Sequence, residues 1–339
     1  MHGSFAARHF TIHDTDPHEE YALLSKTWDF KPTPLRIMAE IADSYGFKSL
    51  LLKDESNRMG ASSFKALGGR AAVAALAMSS ESEATVICAT AGNHGLSVAD
   101  GASAFGLRAI VYVADTVSDK FVRRLKVSGA EVYRVGASYE EAMVQATLDA
   151  KNNGWWLISD SSWDGYRDVP SRIMRGYCLI SDEIRQDCLR HAYWPTHVSL
   201  QAGVGGMAAA VAARIRATWE VQPEILIVEP EVAACLAESI PARKPARAKG
   251  AVSNMGRLDC KEASVIAYEV LRQLATDGRW PLKFIQVSDK AALDTKKQLA
   301  KEGVPTSPSG AAGVAGLVKA GLPRDARPLA IITESSEND

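Results

Sequence analysis

Nothing in the sequence pushes it toward a highly charged or membrane-bound partner. The formal charge of the 339-residue chain is −1, so bulk attraction to nucleic acid or to an anionic lipid surface is not expected. No apolar run reaches the length needed to cross a bilayer. The opening residues, MHGSFAARHFTIHDTDPHEE, hold no apolar core of the kind a secretory signal carries, and a cytoplasmic location is expected. Five cysteines (Cys88, Cys178, Cys188, Cys235 and Cys260) lie scattered without a CxxC pair, which fits reduced thiols and argues against a disulfide framework. The histidines from His9 to His18 follow no metal-ligand spacing. They read as a solvated N-terminal arm, and no metal is expected. The chain shows no internal repeat and no low-complexity tract.

What is present is an ordinary globular balance, 47% hydrophobic and 23% charged, in a chain long enough for two domains or one large α/β unit. Short apolar runs, many of them β-branched, predict strands at Ser49–Leu52, Thr85–Ala89, Arg108–Val113, Glu131–Val135, Trp156–Ser159, His197–Gln201, Ile225–Val228 and Leu329–Thr333. Between them, Ala-rich stretches predict helices at Phe64–Met78, Gly95–Phe105, Lys120–Ser128, Tyr139–Asn152 and Gly206–Thr218. This alternation predicts an α/β fold with a mostly parallel sheet covered by helices. In such folds the site lies at the carboxyl ends of strands, where the chain turns into a helix. The basic segment Pro241–Asn254 reads as a mobile loop.

Three strand-to-helix turns carry chemistry. In Lys53–Gly69, KDESNRMGASSFKALGG, a helix starting around Ser62 or Ser63 puts Lys65 in its first turn, where the helix dipole disfavours a cation. That field, with burial, favours the neutral amine needed to attack a carbonyl. The alternative is a solvated helix lysine. In Thr85–Gly95, TVICATAGNHG, backbone N–H groups at the turn suit a carboxylate, and the Asn93 amide can donate to a phenolic oxygen; a plain turn is the competing reading. In Ser199–Ala210, SLQAGVGGMAAA, Gly203, Gly205 and Gly206 let amides close on a phosphate. A dinucleotide fingerprint, with Glu229 as ribose acid, lacks its third glycine, and no Walker lysine follows.

Taken in order, these turns resemble the fold-type II pyridoxal-phosphate (PLP) enzymes, the tryptophan-synthase-β superfamily. SSFKALGG resembles the lysine segment, TAGNHG the substrate-carboxylate loop, QAGVGGM the phosphate loop, and SPSGAAG (Ser307–Gly313) a motif of serine/threonine dehydratases. Within the superfamily the sequence is most similar to diaminopropionate ammonia-lyases: the lysine segment, LISDSSWDGYRDVP (Leu157–Pro170), IVEPEVAACL and the terminal IITESSEND carry the likeness. The resemblance implies two α/β domains with PLP in the cleft between them. Residues 1–64 and 176–339 would form the large domain and 65–175 the small one. It implies a homodimer acting on a small amino acid.

The resemblance also implies roles. Lys65 would form the Schiff base, with Phe64 beside it, and Asn93 would contact the cofactor's phenolic oxygen. Gly203, Val204, Gly205, Gly206 and Met207 would cradle the phosphate, and Thr333 would face the pyridine nitrogen. Asp160 would take the Cα proton of an L-substrate. Ser63, Ala91, Gly92, Asn93 and His94 would surround the substrate, Ser63 assisting catalysis. Free Lys65 is the other candidate base, and the cofactor phosphate a candidate acid for the leaving group.

Two features depart from the lyase pattern. Ala91 stands where that family has an Asp linked to D-isomers, and Ala91 and Ser63 both match the dehydratases. The terminus also lacks the glycine usual after Glu334. The expected reaction is α,β-elimination, giving a 2-keto acid and ammonia. The alternatives are a serine, threonine or 3-hydroxy-amino-acid dehydratase, a β-replacement synthase, and a PLP-binding protein without turnover.

Overall fold

The computed structural model describes residues 8–79 and 84–336; Glu337–Asp339, the end of IITESSEND, lie outside the described residues. In chain order the strands among them are β1 (Leu35–Ile37), β2 (Leu51–Asp54), β3 (Thr85–Ala89), β4 (Arg108–Val113), β5 (Ala130–Arg134), β6 (Trp156–Leu157), β7 (His197–Gln201), β8 (Glu224–Pro230), β9 (Leu282–Val287) and β10 (Pro328–Ile332). They form two sheets, one ordered β5-β4-β3-β6 and the other β1-β2-β10-β7-β8-β9. Only the short β1 runs antiparallel to its neighbour. The expected α/β class, with parallel sheets flanked by helices, is what the chain adopts.

The chain falls into two compact units. The first holds Pro17–Phe30 and Lys65–Gly176, with the four-stranded sheet; the second holds Lys31–Phe64 and the chain from Tyr177 onward, with the six-stranded sheet. In the first, the helix Tyr139–Asn153 lays Ala142, Ala146 and Ala150 on Ile87, Ala89 and Ile110. The four-residue spacing puts these alanines on one helical stripe. In the second, Leu52, Ala330 and Ile332 of adjacent strands bury against Ala311, Val314 and Leu317 of the helix Pro308–Lys319.

The structure corrects several expectations. β1 and β9 were not expected; both are edge strands with partly exposed, mixed-polarity residues, so neither shows a clean buried run. β6 has two residues where four were expected. The N-terminal histidines His9, His13 and His18 are exposed, as a solvated arm requires, but the segment that carries them is tied to the fold. His9 Nε2 lies 3.2 Å from Asp168 Oδ1, and the helix His18–Thr27 buries Glu20, whose Oε1 accepts from Arg172 Nη1 (3.1 Å) and Arg175 Nε (3.4 Å). The segment Pro241–Asn254 is a loop from Arg243 onward, as expected, and it is anchored at both ends. Pro241 lies within the helix Cys235–Ala242, and Ser253 Oγ and Asn254 N both donate to the Asp289 carboxylate, at 2.5 and 2.8 Å.

Candidate active site

Lys65 is the first residue of the helix Lys65–Ser79. The helix is apolar on all sides and buried along most of its length, as such a composition requires. Its start is fixed by a contact the sequence did not announce. Ser97 Oγ donates to Lys65 O at 2.8 Å and accepts from Arg70 N at 3.1 Å. Gly69 makes room for it: a Cβ there would meet Ser97 Oγ at 2.4 Å.

The Lys65 amine does not reach for solvent. Its Nζ donates to Asp160 Oδ2 at 2.5 Å, with the two side chains 23% and 14% exposed. Asp160 lies just beyond the end of β6. Burial pushes its carboxyl up, but the charges of Lys65 and then His94, with hydrogen bonds from Lys65 and the backbone, overcome burial and hold it well below the usual carboxylate range. Asp160 is therefore ionised, and the Lys65 ammonium balances it.

The Asn-His turn belongs to the same unit. Thr90, at the end of β3, organises it: its Oγ1 accepts from Gly92 N (3.0 Å) and Gly95 N (3.2 Å) and donates to Gly92 O (2.9 Å). The helix Asn93–Ala104 then starts after Gly92, and Thr90 Oγ1 serves as the acceptor for Gly95 N in its first turn. Ala91 is exposed and Gly92 buried. Asn93 and His94 are each 7% exposed. His94 Nε2 donates to Ile158 O at 2.9 Å, and Nδ1 has no hydrogen-bond partner among the described residues.

In the second unit, the residues just before Lys65 are stitched to the end of β10. Ser63 bridges Glu334, Phe64 N donates to Thr333 O (3.1 Å), and Ser335 N donates to Ser62 O (3.0 Å). Ser63 and Thr333 are buried. Thr333 Oγ1 accepts from Gln201 Nε2 at 3.4 Å, while Gln201 Oε1 has no partner among the described residues. Gln201 ends β7, beside β10 in the sheet. It leads into the glycine turn and the helix Gly206–Thr218, whose start carries no side-chain cap. Gly205 takes φ +94°, and a Cβ there would press on Leu236 Cδ1 at 2.8 Å. A Cβ at Gly203 would meet Cys260 Sγ at 3.0 Å.

The first unit thus gathers Lys65, Asp160 and His94, and the second gathers Ser63, Phe64, Thr333 and the turn Gly203–Met207. Sequence reasoning missed Thr90, Ser97 and Gln201. The first two are small hydroxyl residues whose partners are backbone groups, and only Gln201, directly ahead of the glycine turn, carried a local signal. Glu229 is not a ribose acid, because its two oxygens accept from Leu236 N and Ala237 N at 2.8 Å each.

An amine paired to a carboxylate at a strand end, in a chain that also opens an uncapped helix with a glycine turn, suits an enzyme that anchors a phosphorylated aldehyde. The sequence matches the family of pyridoxal-phosphate dependent enzymes over residues 28–334, and the chain belongs to that family. It is 32% identical over 289 residues to a diaminopropionate ammonia-lyase of Escherichia coli (strain K12), spanning 78% of this chain and 69% of that protein. It is 31% identical over 227 residues to a biosynthetic L-threonine dehydratase of Pasteurella multocida (strain Pm70), spanning 66% of this chain and 41% of that one. The structure of Escherichia coli diaminopropionate ammonia lyase with an aminoacrylate–PLP azomethine reaction intermediate matches with a TM-score of 0.86 at 28% identity, covering 98% of this chain and 92% of that one. Pyridoxal phosphate is the cofactor, in a fold of type II.

Proposed function

We propose that this enzyme carries out α,β-elimination on a small amino acid such as L-2,3-diaminopropionate. The β-amine departs, water releases the α-nitrogen, and a 2-keto acid and ammonia are formed. The observation that carries the reading is the 2.5 Å contact between Lys65 Nζ and an ionised Asp160, in a chain with ammonia-lyase relatives.

The glycine turn fits the cofactor: a Cβ at Gly203 or Gly205 would meet Cys260 Sγ at 3.0 Å or Leu236 Cδ1 at 2.8 Å, so only glycine lets this backbone lie close-packed while its N–H groups open the helix toward a phosphate. Gly203, Val204, Gly205, Gly206 and Met207 would hold the phosphate through backbone N–H groups. Lys65 would anchor the aldehyde, with Phe64 beside it, and Asn93 would donate to the phenolic oxygen. The Thr333 hydroxyl accepts from Gln201 and so keeps its own proton for the ring nitrogen. When bound, pyridoxal phosphate supplies a conjugated ring that spreads the charge left at Cα. Asp160 would take the Cα proton, its low basicity offset by proximity. The amides of Ala91–His94 at this strand-to-helix turn would bind the substrate carboxylate, with Ser63 near the leaving group.

Keto-acid release from L- and D-diaminopropionate, L-serine and L-threonine tests the assignment. The L-diamine is expected to turn over fastest and the D-isomer poorly, because Ala91 offers no second carboxylate. Faster L-serine or L-threonine turnover would establish the dehydratase reading that Ala91 and Ser63 favour, and product capture by added sulfide would establish a β-replacement synthase. Lys65→Ala is expected to abolish both the bound-cofactor absorption band and turnover; an active variant overturns the mechanism. A cytoplasmic homodimer completes the reading, supported by the family resemblance, and sedimentation at the monomer mass would overturn the dimer.

A further inference from the structure

We propose that Tyr166 is a positioning residue for Asp160, its phenol closing the open side of the strand that delivers that carboxylate. The proposal rests on the reading of Asp160 as proton acceptor. Among the described residues β6 is the last strand of its sheet, paired only with β3. Successive residues of a strand present their backbone groups to opposite sides. Ile158 faces inward, its N–H donating to Ile87 O at 2.8 Å and its carbonyl accepting from His94 Nε2. Leu157 and Ser159 therefore face outward, where no strand follows.

One hydroxyl takes the place of that strand. Tyr166 Oη donates to Leu157 O at 2.7 Å and accepts from Ser159 N at 3.0 Å. A phenol can do both at once, and phenylalanine can do neither. Burial pushes the Tyr166 phenol up, which keeps it a donor across the working pH range. The loop that brings it back is closed by reciprocal bonds, Tyr166 N to Trp163 O at 3.0 Å and Trp163 N to Tyr166 O at 3.3 Å. The Trp163 and Tyr166 rings stack at 4.4 Å. Beyond Asp160, Ser161 N donates to Ser159 Oγ at 3.2 Å. Asp160 is thereby clamped through its neighbours on both sides, Tyr166 acting on the backbone that carries it.

The test is Tyr166→Phe in the holoenzyme, which retains the ring for stacking. Misplacing a reacting group by a fraction of an ångström to an ångström costs roughly tenfold to a hundredfold in rate, so kcat on the L-diamine is expected to fall about tenfold or more with KM within about twofold. The primary isotope effect with Cα-deuterated substrate should rise, and amide exchange at Ser159 should quicken. Unchanged kcat and isotope effect, or a change confined to KM, overturns the proposal. Should Tyr166→Phe fail to fold, 3-fluorotyrosine at position 166 keeps ring and hydroxyl but weakens the acceptor. The same changes are then expected at about twofold to threefold, and their absence overturns the proposal. Asp160→Asn separates the two readings. A normal Asp160→Asn enzyme removes Asp160 as base and Tyr166 with it, whereas a slow Asp160→Asn beside a normal Tyr166→Phe overturns Tyr166 alone.

Discussion

A cation at the first position of a helix is placed against the dipole, and at Lys65 the opposing term is a single carboxylate supplied 95 residues later in the chain. That residue pair was legible only through family resemblance; the segment KDESNRMGASSFKALGG alone left a solvated lysine open. Glu229 shows the same limit from the other side. Its place after a strand invited a ribose role, yet the structure buries it to 1% exposure and commits both oxygens to the backbone. Burial outweighs those two amide bonds and pushes Glu229 up to about 7 from 4.5. The folded protein therefore holds this proton more tightly than the unfolded chain. The stability it contributes is complete below about pH 4.5 and is lost as pH rises through 7, on the order of 3 kcal/mol in all. Urea denaturation should show this decline between pH 5 and 8, and Glu229→Gln should flatten it; an equal slope in the variant would refute the assignment.

At the level of elements, the three strand-to-helix turns were readable because their determinants are local. Strands Thr85–Ala89, Arg108–Val113 and His197–Gln201 and the helix Gly206–Thr218 fall where the sequence predicted them. The helix carrying Lys65 begins at Lys65 itself and not at Ser62 or Ser63, because Ser63 is drawn into a bridge with Glu334, a partner no local pattern reveals. Gly205 is the sharpest local requirement. Alanine there meets both an unfavourable φ of +94° and Leu236 at 2.8 Å. A left-handed conformation alone costs a non-glycine residue about 1–2 kcal/mol. Gly205→Ala is expected to weaken cofactor affinity about tenfold or more if the turn shifts to relieve this, since about 1.4 kcal/mol is tenfold. Titration of the apoenzyme with pyridoxal phosphate checks it, and wild-type affinity would contradict it.

For the whole molecule, the second unit depends on charges as well as on apolar layers. Lys53, Glu55, Arg58 and Glu183 form a buried quartet of two cations and two anions. Arg58 Nη1 and Nη2 each donate to Glu183 at 2.7 Å, Arg58 Nε donates to Glu55 at 2.8 Å, and Lys53 Nζ donates to Glu183 at 2.6 Å. Burial pushes the Glu55 carboxyl up, but Arg58, Lys53 and Thr33 overcome it and hold the group below its ordinary range. Removing one charge from such a set strands the others, which costs roughly 3–5 kcal/mol. Glu183→Gln should lose stability of that order in urea denaturation, and a change under about 1 kcal/mol would show the quartet to be dispensable. In the sequence Lys53, Glu55 and Arg58 read only as the polar approach to Lys65, and no local pattern marked Glu183.

The amino-acid order by itself determined the α/β class, the succession of three chemical turns and the glycines that open the last of them. These follow from backbone preferences acting over a few residues. Only the tertiary structure decided that Asp160 meets Lys65, that Gln201 serves Thr333, that Ser97 holds a helix start and that Tyr166 completes an edge strand. Each of those pairings is made by packing or by strand order between segments whose separation along the chain carries no periodic signal, and a lone hydroxyl or amide looks the same in sequence whether or not a partner awaits it.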